Sequence, residues 1–383
     1  MSEINVSIIV PTYKEAENIT PLSEQIDQAM KHAKLTYEII VVDDDSKDGI
    51  IEAVEKLKNR YNIKLKVRKA EKGLSSAVIA GFGMVTGGLI VVMDADLSHP
   101  PSKIPELITP ILDGDCDFMI GSRFIKGGSA PHFNWYRKLN AWVSKMIARP
   151  FTRVADPMAG FFAFDRRLFK PGLELNPLGF KIGLEMIVKA SPKRISEVPI
   201  QFRERQFGES KLSLKEQICY LVHIKRLFEY KYGTLAEFTK FCLIGGFGMM
   251  VDLAFVYLSM QIFMILGIIP KLFQFRIARM IGFVFAVTSN FLFNRKFTFS
   301  RAEEGNIYRQ YLSFFVVSLI GFIVNWFVSV YLYEYVAFFN THYLIAAFMG
   351  ILGGTVINFT GSKFFVFKRG RSGGRQDRSL KLR

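Results

Sequence analysis

The chain has 383 residues, with 50 Lys and Arg against 34 Asp and Glu, a formal net charge of +16. That length allows two or three domains, and the positive charge gathers near the long apolar segments and in the last residues, which favours an anionic membrane surface over nucleic acid. No nucleic-acid-binding motif is visible, and the scattered Cys116, Cys219 and Cys242 suggest neither a disulfide framework nor a metal site.

Residues Val6 to Val10 form a short apolar strand ended by Pro11, and Thr12-Tyr13-Lys14-Glu15 makes the turn after it. A helix follows to about Lys34. A second strand, Tyr37 to Val42, ends in Asp43-Asp44-Asp45, and a helix runs on to about Arg60. The third strand is Lys64 to Arg68, with a helix from Leu74 to Val85. The fourth, Leu89 to Met93, is a continuous apolar run, as expected of a strand covered on both faces. It stops at Asp94-Ala95-Asp96-Leu97-Ser98-His99, and Pro100-Pro101 blocks extension. Strands alternating with helices of this length imply a mostly parallel sheet, which binds ligands outside the carboxyl ends of its strands.

Strand side chains alternate faces, so Asp94 and Asp96 project to the same side, roughly 6–7 Å apart along the backbone. Carboxylates so placed suit a hard divalent cation that also takes phosphate oxygens. A lone Asp-x-Asp is more often a solvated strand end. Here three polar strand ends (11–15, 43–45 and 94–96) converge on one edge, which favours a site. No G-x-G-x-x-G follows the first strand and there is no Walker A lysine, so phosphate must be held by a metal and by basic side chains. Arg123 in Gly121-Ser122-Arg123, and Arg203, Arg205 and Lys211 in the stretch 201–211, are the bases available.

Residues 131–150 have Trp135, Leu139, Trp142, Val143, Met146 and Ile147 at helical spacing, with Arg137, Lys138, Lys145 and Arg149 between them. Such a helix suits either a membrane interface or packing on the sheet. Leu214 to Tyr232 is a second candidate interfacial helix. Four apolar segments near 239–266, 274–297, 308–336 and 342–366 are long enough to span a bilayer. They repeat: Gly248-x-x-x-Asp252 matches Gly321-x-x-x-Asn325, and the stretch 290–299 matches 358–367. Two copies of a helix pair in parallel orientation are inferred. The loops 267–273 and 337–341 hold little charge, whereas Arg295, Lys296, Arg301, Arg309, Lys363 and the tail are basic, so the positive-inside rule puts both termini in the cytoplasm. No signal peptide is evident at Met1 to Asn5, so the soluble half is expected there too. Asp252 is an intramembrane carboxylate and a functional candidate. The depths counted along the two helices disfavour its pairing with Arg279. The tail, 368–383, is Gly- and Arg-rich and expected to be disordered.

Taken together, Pro11-Thr12-Tyr13-Lys14-Glu15, Val42-Asp43-Asp44, Asp94-Ala95-Asp96-Leu97-Ser98-His99, Gly121-Ser122-Arg123 and Arg205-x-x-Gly208-Glu209-Ser210-Lys211 resemble the family 2 glycosyltransferases, and among them the dolichol-phosphate mannose synthases. The match spans residues 4–213. The membrane half resembles the GtrA-like domain. The resemblance implies an α/β GT-A fold, Rossmann-like with a mostly parallel sheet, as a cytosolic domain at 1–213. Amphipathic interfacial helices at 214–235, an all-α four-helix transmembrane domain at 236–367 and the tail follow. It also implies GDP-mannose as donor, dolichyl or another polyprenyl phosphate as acceptor, and Mg2+ or Mn2+ as cofactor. By motif, Pro11, Tyr13, Glu15, Val42 and Asp44 hold the nucleoside. Asp94 and Asp96 bind the metal and diphosphate, with Ser98 a third position where some members have Gln. Ala95 touches the nucleotide through its backbone, and Arg123, Arg205 and Lys211 contact phosphate or sugar. Asp45 stands where many relatives have Gly.

A phosphate acceptor is already anionic at neutral pH and needs no general base, so the task is to bring two anions together and stabilise the leaving diphosphate. Direct attack inverts the anomeric centre. His99 and His132 are candidates for a base, although a packed imidazole is the preferred reading of both. Trp occurs only at 135, 142 and 326, and none completes the Q-x-x-R-W motif of polymer synthases. UDP-glucose as donor, or a lipid-linked sugar transporter using the soluble domain as a binding module, are the other readings. Intact Asp94 and Asp96 weigh against the transporter.

Overall fold

The computed structural model describes residues 4–131, 133–179, 181–202, 214–267, 270–299 and 305–367. It divides into two compact units, 1–231 and 232–383.

The first unit alternates strands and helices in the order β1 (Val6–Thr12), α1 (Ala16–His32), β2 (Tyr37–Asp43), α2 (Ile50–Leu57), β3 (Ile63–Val67), α3 (Leu74–Phe82), β4 (Leu89–Val92), α4 (Ile104–Leu112), β5 (Phe118–Ser122), α5 (Trp135–Ala148), β6 (Phe162–Asp165), α6 (Ile182–Lys189) and β7 (Ile195–Pro199). The seven strands form one sheet, ordered β3-β2-β1-β4-β6-β5-β7. Neighbouring pairs are parallel except where β6 runs antiparallel between β4 and β5. Period-2 alternation splits the core across the sheet. Val6, Ile8 and Val10 of β1 pack with Ile19, Leu22, Ile26 and Met30 of α1. Ile9 turns to the other face, toward Val78 and Phe82 of α3 and Met186 of α6. Each such side chain is fully or nearly fully buried, worth about 1.5–3 kcal/mol of transfer free energy apiece.

The strand ends differ from the expectation at one important place. Strand β4 stops at Val92, and residues 95–97 form a bend in which Leu97 takes φ 59°. A non-glycine residue there costs about 1–2 kcal/mol. The buried Leu97 side chain holds it in place. Asp94 and Asp96 are thus presented by a turn, not by strand alternation.

Helix α5 exposes the aromatic face expected of it: Trp135 is 75 % and Trp142 59 % exposed, and Ala148 is its buried residue. That face does not pack on the sheet. Helix α7 (Leu214–Leu266) has non-helical dihedrals at Tyr232. Its first part lies beside α5, where Gln217 Nε2 donates to Tyr136 Oη (2.8 Å) and Tyr220 Oη to the Ser144 carbonyl (2.7 Å).

The second unit holds the rest of α7, then α8 (Lys271–Phe293), α9 (Ile307–Tyr335), α10 (Ala337–Thr341) and α11 (Tyr343–Gly361). Helix α10 falls where a loop was expected. Helices α8 and α11 each run into one π-helical turn, at Asn294–Thr298 and Ser362–Val366. The repeat seen in the sequence is therefore also a repeat of backbone. It extends to packing. A Cβ on Gly248 would lie 2.1 Å from Asn290 Oδ1, and one on Gly321 2.0 Å from Asn358 Oδ1. Rings pair in matching sets: Phe291 with Tyr311 (5.3 Å) and Phe359 with Phe238 (5.1 Å), Phe291 with Phe314 (5.8 Å) and Phe359 with Phe241 (5.6 Å). Phe299 and Phe367 stack at the centre, 4.7 Å apart. Arg295 Nε donates to Gln310 at the start of α9, and Lys363 reaches Thr234 and Glu237 in the corresponding part of α7. Each repeat thus clamps the other. The expectation against an Asp252–Arg279 pair was wrong, because Arg279 Nη1 lies 2.5 Å from Asp252 Oδ2. Depth counted along single helices took no account of how α7 and α8 lie against each other.

Candidate active site

Parallel pairing brings the ends of β1 and β2 together, with Pro11 opposite Val42 and Thr12 opposite Asp43. The side chains of Pro11 and Val42 are buried in the sheet, so they offer backbone and not side-chain surface. Tyr13 is 45 % exposed, with the ammonium groups of Lys14 and Lys72 each 5.8 Å from its ring. Glu15 Oε2 accepts from Asn18 Nδ2 (2.6 Å). The loop after β2 is tied down through Asp43, which accepts from Thr12 Oγ1 and Ser46 N, and through Asp48, which accepts from Ala16 N, with the single Ser46 hydroxyl proton placed between them, 2.9 Å from Asp43 Oδ1 and 2.6 Å from Asp48 Oδ1. Asp45 and Lys47 both take φ 54° in that loop, a left-handed conformation that aspartate adopts more readily than most side chains.

Asp44 is buried and already engaged. Its Oδ1 accepts two N–H bonds from Arg68, and its Oδ2 accepts the Gly73 N–H (2.6 Å). Arg68 is itself buried and also donates to Ser76 Oγ (3.0 Å) and the Gly73 carbonyl (3.1 Å). Sequence reading missed Arg68. Its only signal was an arginine just past the end of a strand that also carries Lys64 and Lys66.

Beside β1, Met93 N still donates to the Ile9 carbonyl, and then the chain bends. Asp96 is 4 % exposed, and its Oδ1 accepts both Ser98 N (3.0 Å) and Ser98 Oγ (2.5 Å). Ser98 is fully buried, so its hydroxyl orients Asp96 from behind. The Asp94 side chain is 26 % exposed. The space before it depends on Gly160, since a Cβ there would stand 3.5 Å from Asp94 Oδ2 and 3.3 Å from His99 Cε1. His99 is buried and accepts the Asp94 N–H at Nδ1 (3.1 Å), which places its proton on Nε2. Burial pushes it below the ordinary imidazole range, against the pull of Asp94 and Asp96. It stacks on Phe161 (5.2 Å) and meets Phe202 edge-on (5.6 Å). This imidazole holds the turn. It is not available as a base.

Phe202 links that turn to Arg123. The Arg123 guanidinium lies 5.3 Å from the Phe202 ring, 5.3 Å from Phe124 and 5.5 Å from Phe133. It is also gripped by Asp156, which accepts from Arg123 Nε (2.7 Å), Nη2 (2.9 Å) and backbone N (3.2 Å). Asp156 is 1 % exposed, and Glu197 of β7 accepts the N–H groups of Ala155 and Asp156. Two more cations stand close by. Arg137 shares the Phe133 ring with Arg123 (5.8 Å). Lys181, at the start of α6, is pushed down by burial, pulled up by Glu216 and pushed down again by Arg123. The stretch Asp156 to Phe161 resembles the family's segment at the floor of the acceptor site, but the sequence did not show that Asp156 pairs with Arg123, and Lys181 was not singled out. Arg203, Arg205, Lys211 and His132 lie outside the described residues.

One β-sheet edge thus gathers an aspartate turn, a tied loop after β2 and arginines paired with buried carboxylates, at the place where an open α/β sheet binds its ligands. Residues 7–173 match the glycosyl transferase family 2 model, and residues 240–367 match the GtrA/DPMS transmembrane domain. The chain is a GT-A-type glycosyltransferase joined to membrane helices. A dolichol-phosphate mannosyltransferase of Pyrococcus furiosus is 41 % identical over 353 residues, covering 91 % of this chain and 95 % of that one. One of Saccharomyces cerevisiae is 41 % identical over 241 residues, covering 60 % and 89 %. Among solved structures, mannosyl-3-phosphoglycerate synthase of Rubrobacter xylanophilus aligns at TM-score 0.46 and 19 % identity, over 60 % of this chain and 75 % of that one. The chain belongs to the dolichol-phosphate mannosyltransferase family.

Proposed function

We propose that the chain transfers mannose from GDP-mannose to dolichyl or another polyprenyl phosphate, inverting the anomeric centre to give the β-linked product. The acceptor phosphate oxygen forms the new bond to C1 as the bond to the β-phosphate breaks, and GDP leaves with the electron pair. No proton has to be removed, which agrees with a buried His99.

The nucleoside lies along Tyr13, Glu15 and Asp44, with main-chain contact at Pro11, Val42 and Ala95. Asp94 and Asp96 hold Mg2+ or Mn2+, with Ser98 steadying Asp96. The donor set fits a hard cation: two carboxylates, one open to ligand across a residue with no side chain. Among the described residues no group of three or more His, Cys, Asp or Glu is gathered as a cage, so a cation held by Asp94 and Asp96 would keep positions open for oxygens from outside the protein. The cation supplies charge stabilisation to the departing diphosphate. Arg123, Arg137 and Lys181 converge on the acceptor side and meet its phosphate, and Arg205 and Lys211 complete the phosphate contacts from sequence.

The observation that carries this reading is the Asp94–Asp96 turn on the same edge as the clamped Arg123. We further assign the domains as 1–213, 214–235, 236–367 and 368–383, with four membrane passes, α5 and the first part of α7 at the interface, and both termini cytoplasmic. The test is label transfer by purified protein with a short polyprenyl phosphate, offered GDP-mannose and UDP-glucose in parallel. Label reaching the lipid phase from GDP-mannose alone, abolished by EDTA and restored by Mg2+ or Mn2+, is the expected result. Transfer from UDP-glucose alone overturns the donor.

A further inference from the structure

A second basic feature of the first unit takes no part in the chemistry above. A cavity of about 630 Å³ is lined by residues 149–154, the turn at Pro192–Lys193, and β7 at Ile195, Ser196 and Glu197. Its size is that of a small-ligand site. Arg149, Arg153 and Lys193 line it, all are exposed, and none forms an ion pair among the described residues. The one carboxylate in the wall is already committed, since Glu197 accepts the Ala155 and Asp156 N–H groups. Three cations against one carboxylate leave the cavity wall with an excess of positive charge. Arg149 Nη1 donates to the Arg153 carbonyl (3.0 Å), which draws the two arginine positions into one wall.

Its position in the chain narrows the occupant. Lys231 Nζ donates to the carbonyl of Phe151, a residue of the cavity wall (3.2 Å). Lys231 is the last residue of the first unit, and the membrane-family match begins at residue 240. The chain thus passes toward its membrane helices directly beside this cavity. Unpaired Arg and Lys next to a membrane entry attract anionic lipid phosphates, and guanidinium forks match phosphate oxygens in pairs.

We propose that this cavity binds a phosphate-bearing anion, distinct from donor and acceptor, through Arg149, Arg153 and Lys193. A lipid headgroup and free phosphate share that chemistry, and the test separates them. The full chain, purified in an uncharged detergent, is heated with dioctanoyl phosphatidylglycerol, with dioctanoyl phosphatidylcholine, or with inorganic phosphate. Binding at saturation raises the unfolding midpoint by about 2–4 °C. The expected result is a rise with phosphatidylglycerol that is absent in the triple variant Arg149→Gln, Arg153→Gln, Lys193→Gln. It persists in a charge-matched control, Lys56→Gln, Lys58→Gln, Lys69→Gln. A rise with inorganic phosphate of the same size, lost in the same variant, identifies free phosphate as a sufficient occupant. A rise with phosphatidylglycerol alone identifies a headgroup. If the triple variant does not fold, Ser196→Glu, which puts a carboxylate in the wall, must weaken the effect roughly tenfold in ligand concentration. The proposal is overturned if neither anion stabilises the wild-type chain, if phosphatidylcholine does so equally, or if the cavity variants respond as the wild type does.

Discussion

Replacing Asp156 by Asn tests whether Arg123 acts as a pre-set charge. Three hydrogen bonds converge on the Asp156 carboxylate from one arginine, at 2.7, 2.9 and 3.2 Å, with the acid 1 % exposed and the guanidinium 15 %. The amide loses the charge and turns a donor toward a donor. Breaking a buried pair by removing one partner costs about 3–5 kcal/mol, and the isosteric amide, which keeps one acceptor, falls near the lower end. Part of that is lost stability and part is a looser Arg123. A positioned donor to developing charge is worth about 10²–10³ in kcat, so Asp156→Asn should lose about 10² in kcat, with a smaller change in donor KM.

The decisive assay is a double-mutant cycle in label transfer, run below the unfolding midpoint of every variant. If Asp156 acts through Arg123, then Arg123→Gln and the double variant have the same kcat to within about threefold, and the coupling energy is about 2–3 kcal/mol. Multiplicative losses would refute the reasoning, as would wild-type kcat in folded Asp156→Asn. Either result would make the pair a structural rivet with no bearing on transfer.

Arg68→Lys keeps the charge but removes the fork on Asp44, so GDP should bind about 10-fold more weakly in calorimetry and lose much of its advantage over UDP. Gly160→Ala should raise the metal concentration for half-maximal activity about fivefold with little change in unfolding midpoint, because its Cβ would press on His99, which holds the turn, and fill the space beside the Asp94 carboxylate. Gly248→Ala and Gly321→Ala should destabilise the solubilised protein by similar amounts, about 1–3 kcal/mol each, as each overlaps one asparagine. Unequal effects would deny the equivalence of the two helix pairs. Burial alone would raise the Glu38 carboxyl, but hydrogen bonds from Lys64, Ser7 and Thr86 outweigh it and hold the group below its ordinary 4.5. Its contribution is therefore full above about pH 4.5 and lost as pH falls through the lower folded value. Glu38→Gln should flatten the acid-unfolding curve in that window.

The alternating strands, the edge they share and the Asp-x-Asp turn were legible because each is local: an apolar run, a period, a proline. The insertion of β6 between β4 and β5 was not. Phe162 to Asp165 is four residues long, and nothing in so short a run states which neighbours it joins or in which direction. Arg68 was missed, and Asp156 was read only as the start of an acceptor-site segment and not as the partner of Arg123, for a related reason. Each acquires its role from a partner 24 or 33 residues away, Asp44 and Arg123. Asp94 and Asp96 do lie at that edge, but the strand geometry assigned to them failed because a buried Leu97 at φ 59° ends the extended backbone early.

The two arginine–carboxylate pairs share one physical design. At the nucleoside end the carboxylate belongs to the motif and the arginine supports it. At the acceptor end the arginine belongs to the motif and Asp156 supports it. In both, a charged group meant for a ligand is already desolvated and hydrogen-bonded before the ligand arrives, so little reorganisation is left to oppose transfer. That arrangement suits a reaction between two anions, where an unpaired cationic edge would bind the charged ground state as strongly as the transition state. Pairing Arg123 with Asp156 lowers its net pull on the resting phosphate and keeps its N–H dipoles fixed. On the proposed roles, Arg137 and Lys181 would carry the attraction that draws the acceptor in, Lys181 under the opposing pulls of burial and Glu216, and recruitment and transition-state stabilisation would be divided between different cations on the same edge.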